Sequence, residues 1–445
     1  MTIGNQPRGL GRARVGGKRG LDSSDKVAAI DIGASKVACL IATIEEGIEG
    51  PAEIEVIGAG QHGIAPKDAR KNIGATTERA VRKAVDVAER MAGERIRKAL
   101  VTVHGRQLLS RRVGVDLDLD GGAVTEQDVV ESIERGAAIS AQDGASLVHA
   151  LPIRFSLDGE DVGSNPCGMV GGLLATEMLG LGVRESHEAN LGLLLEHCDI
   201  AVDQLIASPL ASAEAVLIED EKELGAIVID IGARSADYAI YQNGCLIDCG
   251  GIGVGGDHIT RDIAQIFGGS IVHAERIKTL QGASLAGPGD DHGFINFPQL
   301  GDASDVTKVS RADLSAVIAP RVEEILALVM DQCNKAVGRQ ISGRDGVRRA
   351  VITGGGSLLT GVRETAERIC GVRTRLGRPM ALSGLADVAT APQFSACIGA
   401  LIYSAQQKQE PWCREGGAKF LQYDSATFKE AGLFGGVQKW LKANF

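Results

Sequence analysis

Two stretches of the sequence nearly repeat one another: Ala29-Ile30-Asp31-Ile32-Gly33-Ala34-Ser35-Lys36 and Ile229-Asp230-Ile231-Gly232-Ala233-Arg234-Ser235-Ala236. In each, an apolar strand ends in Asp-Ile-Gly, turns through small residues and returns as a second strand, over Val37 to Thr43 or Asp237 to Tyr241. Glycine lets the backbone turn tightly enough for consecutive N–H groups to face an anion, and an aspartate at the strand end offers a carboxylate to a metal-bound water. One such hairpin is an ordinary turn. Two of them can clamp a single nucleotide.

A third element follows the same logic. Val351-Ile352-Thr353-Gly354-Gly355-Gly356-Ser357 reads as a buried strand running into a glycine turn, with a helix predicted from Leu358 to Ile369. Bare glycines at a helix start admit a ribose or phosphate closely, and the helix N-terminus adds favourable N–H groups. In order and separation the three elements resemble the actin-like ATPase superfamily, which includes actin, heat-shock chaperones and sugar kinases. That resemblance implies ATP and Mg2+ as ligands and an α/β, ribonuclease-H-like fold of two halves; spacing alone leaves the nucleotide unnamed.

The 445 residues suffice for two to four domains with real cores, and 44% hydrophobic with 23% charged residues is ordinary for a globular chain. A net charge of −10 argues against general nucleic-acid binding, so no nucleic-acid partner is expected. No stretch approaches the ~20 apolar residues of a membrane span; Gly171 to Val183 is short and contains Glu177. With no secretory signal visible, the chain is expected in the cytoplasm. Nine scattered cysteines suit reduced thiols, and the lone C-x3-C of Cys245 and Cys249 has no second pair to make a zinc site.

Residues 1–25, with Arg8, Arg12, Arg14, Lys18 and Arg19, read as a disordered basic arm. Ala80, Val81, Ala84, Val85, Ala88 and Met91 recur at helical spacing, and Ala99 to Val103 reads as a strand. Beyond it, alternation from Val113 to Leu119, a helix from Gln127 to Ala141 and a strand from Leu147 to Leu157 form a block without a catalytic pattern. Within this block His149-Ala150-Leu151-Pro152, Leu157-Asp158-Gly159 and Asn165-Pro166-Cys167-Gly168-Met169 resemble the inserted subdomain of the FtsA family of bacterial cell-division proteins. Pro209-Leu210-Ala211-Ser212-Ala213 and Ala319-Pro320-Arg321-Val322-Glu323-Glu324 resemble that family too.

The resemblance implies a first half of 26–103 and 184–224 with the insert at 104–183. It implies a second half of 225–256 and 345–405 with its own insertion at 257–344, then a linker at 406–431. The last segment, 432–445, is an amphipathic helix by pattern: at about 100° per residue, Leu433, Phe434, Val437, Trp440, Leu441 and Phe445 share one face and Lys439 and Lys442 the other. Such a helix lies flat on an anionic bilayer, with tryptophan at the interface, and the family resemblance implies the same membrane-targeting role. Gly435 and Gly436 each cost about 1 kcal/mol of helix stability, so folding is expected to wait for lipid.

At the nucleotide, Asp31 and Asp230 are the candidates to hold Mg2+ through water. Gly33, Ala34, Ser35 and Lys36 would cradle phosphates opposite Gly232, Ala233 and Arg234, with Gly255 and Gly256 closing the site. Gly354, Gly355, Gly356 and Ser357 would meet the adenosine. Superfamily resemblance adds Glu275 for a ribose hydroxyl, Lys278 for the base and Gln204 to orient the attacking water. No residue guarantees turnover; the resemblance implies ATP binding with at most weak hydrolysis. It also implies partners: the C-terminal tail of FtsZ, further copies of the chain in a filament, later division proteins and an anionic membrane. An acidic peptide would meet Arg311 and Arg321. The location implied is the cytoplasmic face of the bacterial inner membrane at the septum. The alternatives are a small-molecule kinase of the same fold, which needs a general-base aspartate the insert does not offer, and a chaperone-like ATPase, which needs a second domain for peptide substrates.

Overall fold

The computed structural model describes residues 25–45, 52–64, 73–301, 305–342, 346–384 and 390–407. The basic arm up to residue 24 and the amphipathic segment at 432–445 lie outside them. Two five-stranded sheets share one topology. In the first, β1 (Asp25–Ile32), β2 (Lys36–Glu45) and β3 (Glu53–Gly63) form an antiparallel meander, and β4 (Lys98–Val103) and β9 (Ala201–Ala207) add in parallel, in the order β3-β2-β1-β4-β9. In the second, β10 (Ala226–Ile231), β11 (Ala236–Gln242) and β12 (Cys245–Ile252) repeat the meander. Parallel β15 (Arg349–Thr353) and β16 (Arg373–Leu376) complete the order β12-β11-β10-β15-β16. The repeat in sequence is therefore a repeat in register: Asp31 pairs with Ala38, and Asp230 with Asp237.

Two helices fill the space between the sheets. On α4 (Ser208–Val216) every residue is buried, and on α10 (Ser395–Gln407) Ser395 to Ala405 are. One apolar cluster joins Leu40 of the first sheet, Val228 of the second, Leu210 of α4 and Leu401 of α10. A side chain at Gly399 would lie 1.6 Å from the Ala211 carbonyl oxygen, so the helix crossing depends on a bare backbone there. The outer face of the first sheet is covered by α1 (Ile73–Ala92), whose apolar stripe holds Ala80, Ala84 and Ala88, with Leu195 of α3 (Glu185–Glu196). The outer face of the second sheet carries α6 (Gly256–Phe267), α7 (Ile271–Gln281), α8 (Arg311–Val337) and α9 (Val362–Cys370). A short α5 (Glu219–Leu224) precedes β10, and β13 (Phe294–Pro298) pairs with β14 (Val306–Ser310).

Residues 108–184 form a separate four-stranded sheet in the order β5-β8-β6-β7, from β5 (Leu108–Asp118), β6 (Ala145–Leu157), β7 (Glu160–Asp161) and β8 (Leu173–Arg184), backed by α2 (Glu126–Ser140). The apolar run around Gly171 to Val183 is thus mostly a strand between β5 and β6. Among the described residues no helix is long and apolar enough to cross a membrane. The helix expected from Leu358 starts later: Gly355–Leu358 is a 3-10 turn, and Gly361, at φ +81°, breaks the chain before α9.

His149 joins three of these units. On β6 it is 2% exposed; its Nε2 accepts the Ala207 N–H at 3.0 Å where β9 meets α4, and its Nδ1 lies 3.2 Å from the Tyr403 hydroxyl of α10. Burial pushes the imidazole down to about 3, so it is neutral. Replacing His149 with leucine is expected to cost about 1–3 kcal/mol for each buried group left unpaired, read by urea denaturation. Because the folded value lies below the ordinary 6.5, His149 stabilises the fold above that pH and loses its contribution as pH falls toward 3. A His149→Gln variant should show a shallower acid limb in its stability profile.

Candidate nucleotide-binding site

Both Asp-Ile-Gly turns close in the same way. The Gly33 N–H donates to the Lys36 carbonyl at 2.9 Å and the Gly232 N–H to the Ser235 carbonyl at 2.9 Å, which leaves 34–35 and 233–234 at the two tips. Asp31 and Asp230, one residue before the strand ends, are within electrostatic reach of each other. Each is held by a hydroxyl: Thr102 Oγ1 donates to Asp31 Oδ1 and Ser212 Oγ to Asp230 Oδ2, both at 2.6 Å. Burial pushes Asp230 up to about 6 against the pull of the Ser212 hydrogen bond, and the charges of Asp237 and Asp31 add to the rise.

The glycine triplet meets this pair. Gly354 sits at φ +81° where a side chain would lie 2.1 Å from Asp230 Oδ1, and a side chain on Gly356 would strike Ile231. At Gly355 an added Cβ meets no protein atom, so this glycine faces open space. Ser357 Oγ is turned back to the Gly354 carbonyl at 2.7 Å and shapes the turn. Lys36 runs along the cleft, donates to the Gln393 carbonyl and lies 4.6 Å from the centre of the Phe394 ring. Burial lowers its pKa, while Asp31 and Asp230 oppose that shift. The lysine thus links the first hairpin to the segment that carries α10.

Several expected residues serve the scaffold first. The Gly256 and Asp257 N–H groups at the start of α6 donate to the Gly232 and Ala233 carbonyls at 3.0 and 2.7 Å, so Gly255 and Gly256 brace the second turn from behind. Arg234 Nε lies 3.4 Å from Asp257 Oδ2. Lys278 Nζ donates to the Gly256 carbonyl, Thr260 Oγ1 and Glu275 Oε2 at 3.1, 2.8 and 2.7 Å. Two of its protons fasten α7 to α6 and the third stays within α7 on Glu275, whose carboxylate also accepts from Thr260 and is partly exposed.

Gln204 is not brought to the cleft. It pairs with Leu100, three residues before β9 ends, and its Nε2 donates to Gln407 Oε1 at 3.3 Å. Gln407 closes α10 at the end opposite Ser395, about 18 Å away at 1.5 Å per residue, and it is Ser395 that bonds Thr353 beside the triplet. Arg321, expected to receive an acidic peptide, has carboxylate partners already: its Nε and Nη2 donate to Asp262 at 2.7 and 3.1 Å, and Nη1 to Glu324. Arg311 is exposed at the start of α8.

Two residues at the cleft were not singled out from sequence. His104, just after β4, lies with Nε2 3.1 Å from the Ile32 carbonyl and Nδ1 3.4 Å from Asp237 Oδ2, which also accepts the Gly105 N–H at 2.9 Å. Burial disfavours the imidazolium, but the hydrogen bond and charge of Asp237, with Asp31, raise its pKa to about 10. One signal was available: the repeat breaks at Asp237, where the first hairpin has Ala38.

With this geometry in place, the relatives decide the family. The profile for the cell division protein FtsA matches residues 227–399, and that for the SHS2 domain inserted in FtsA matches 105–180. The cell division protein FtsA of Agrobacterium fabrum is 33% identical over 94% of this chain and 95% of its own. The chain belongs to the FtsA family. The family's Neisseria meningitidis and Escherichia coli K12 members are 31% and 28% identical, over 94% and 85% of this chain and 98% and 90% of theirs. A solved PilM-PilN type IV pilus biogenesis complex shares the fold at 14% identity, with TM-score 0.59 over 87% of this chain and all of the other. The chain is therefore a cell-division protein with an actin-like ATPase fold and an SHS2 insert.

The cleft fits a magnesium nucleotide. Mg2+ uses one or two carboxylates with phosphates and waters, and Asp31 and Asp230 supply two; among the described residues no cluster of three or more His, Cys, Asp or Glu side chains is poised to hold a metal. Gly355→Ala is expected to leave stability unchanged and to weaken nucleotide binding about tenfold, ~1.4 kcal/mol, by equilibrium dialysis. Gly354→Ala, forced into the left-handed region, should destabilise the fold itself by at least ~1–2 kcal/mol. Since the folded pKa of His104 is raised, its stabilisation is complete below about 6.5 and is lost as pH rises through about 10. His104→Gln should remove that alkaline component of the unfolding profile.

Proposed function

We propose that the chain binds ATP with Mg2+ between its two halves, assembles with further copies into a filament, and tethers FtsZ to the cytoplasmic face of the inner membrane at the septum. The observation that carries the nucleotide reading is the convergence of Asp31, Asp230 and the open side of Gly355 on one cleft. Bound there, Mg2+ would neutralise phosphate charge. Asp31 and Asp230, aimed by Thr102 and Ser212, would hold its waters. The hairpin tips 34–35 and 233–234 would offer N–H groups to the phosphates from both sides, and Glu275 would accept from the ribose.

Membrane attachment is assigned to 432–445 by its pattern. Burying a large apolar side chain is worth ~1.5–3 kcal/mol, but interfacial burial is partial and ordering the helix opposes it, so one segment binds reversibly. A filament presenting many such segments gains avidity without new contacts. The FtsZ tail is assigned to the second-half insertion at 257–344, where Arg311, unlike the ion-paired Arg321, is exposed.

Two measurements test this reading. Asp31→Asn and Asp230→Asn should each weaken Mg2+-dependent nucleotide binding tenfold or more, about 1.4 kcal/mol, with little effect in EDTA; equal loss in both conditions would remove the carboxylates from the metal. Intact protein should co-sediment with anionic vesicles and Trp440→Glu should not. If neither does, the anchor is wrong.

A further inference from the structure

Between α6 and α8 the second half opens into a cleft of about 610 Å3, lined among others by Ile266, Phe267, Val317 and Pro320. Ile266 is 61% exposed on this floor. The lining charges are Asp262, Asp313, Glu324 and Arg321, and the arginine is already ion-paired to Asp262 and Glu324. Three carboxylates against one guanidinium leave the rim negative. A fitting occupant is therefore apolar and basic. An amphipathic helix laid into such a groove is a recurring mode of recognition.

The chain itself contains a segment of this chemistry. Residues 432–445 offer Leu433, Phe434, Val437, Trp440, Leu441 and Phe445 with Lys439 and Lys442, and no acidic side chain. They follow α10 by a stretch, 408–431, that spans up to roughly 80 Å when extended, against a radius of gyration of about 22 Å for a body of this size. Every face is within reach. Being in the same chain raises the effective concentration toward about millimolar, so a contact with a separate Kd of ~100 μM would be about nine-tenths occupied.

We propose that, without lipid, residues 432–445 dock in the α6–α8 cleft, with their apolar face on Ile266, Phe267 and Val317 and their lysines at the acidic rim. The same face cannot serve cleft and bilayer together, so docking holds the segment off the membrane until lipid competes for it. Only that release rests on the membrane reading above; the docking does not.

The full-length chain carries its own probe, because its two tryptophans are Trp412 and Trp440 and Trp412→Phe leaves one. In lipid-free Trp412→Phe protein, Trp440 emission should be blue-shifted and protected from acrylamide, relative to a free 432–445 peptide. Ile266→Glu, or Ala316→Glu on exposed α8 surface, should abolish both effects without changing the denaturation midpoint. Lys439→Glu with Lys442→Glu, or high salt, should reduce them. Peptide-like emission in the intact chain overturns the proposal. So does a blue shift that survives both cleft variants, or one that vanishes on dilution, which would mean docking on a second copy. With anionic vesicles, Ile266→Glu should bind at lower lipid than the parent. Failure of both proteins to bind, with the lipid-free shift intact, would sink the membrane reading and leave docking standing.

Discussion

Two carboxylates facing each other across the join between the halves set the terms for the rest of the structure. Asp31 and Asp230 stand one residue before the ends of equivalent strands, and burial, with the charges of Asp237 and Asp31, pushes Asp230 up to about 6. Such a pair persists only if its surroundings compensate for the repulsion. Hydroxyls from Thr102 and Ser212 aim each carboxylate, while Lys36 and the imidazolium of His104 bring positive charge from the first half. The glycine triplet is pressed so close to Asp230 that its backbone becomes part of the wall. The site is a charge arrangement first and a shape second.

That arrangement is connected mechanically to the outlying parts. At its N-terminal end α10 touches the triplet through Ser395 and Thr353; near its other end Tyr403 meets His149 of the inserted sheet, and beyond Gln407 the chain leads toward the amphipathic segment. The insert is also fastened to the second half: Ser110 Oγ donates to Asp248 Oδ1 at 2.6 Å, Arg112 Nε donates to the Ile247 carbonyl at 3.0 Å, and Gly105 packs bare backbone on Gly250. The hairpins are thus joined to the insert through His104 and Gly105, and the triplet to α10 through Ser395.

Much of this was legible in the linear order. The duplicated hairpins, the triplet, α1, α2 and two of the insert's four strands follow from periodicity and turn residues, and their edges moved by only a few positions; the central strand β8 was not predicted as one. Sequence reading failed where a residue's partner comes from far along the chain. Gln204 looked suited to the cleft, but its side-chain amide donates to Gln407, at the end of α10 that lies away from the site. Arg321 looked open to an acidic peptide, yet packing of α8 on α6 gives it Asp262, and packing of α7 on α6 adds Gly256 and Thr260 to the Glu275 partner of Lys278.

The sequence by itself determined that there are two halves, each with an aspartate at a glycine turn, because those features depend on contacts between near neighbours. Only the tertiary structure decided what those aspartates face, which glycine is left open, and that His104 is charged while His149 is neutral. Two histidines are indistinguishable as letters. One lies half-buried against a carboxylate from the opposite half and the other is buried between an N–H and a hydroxyl, and only the long-range fold sets those surroundings.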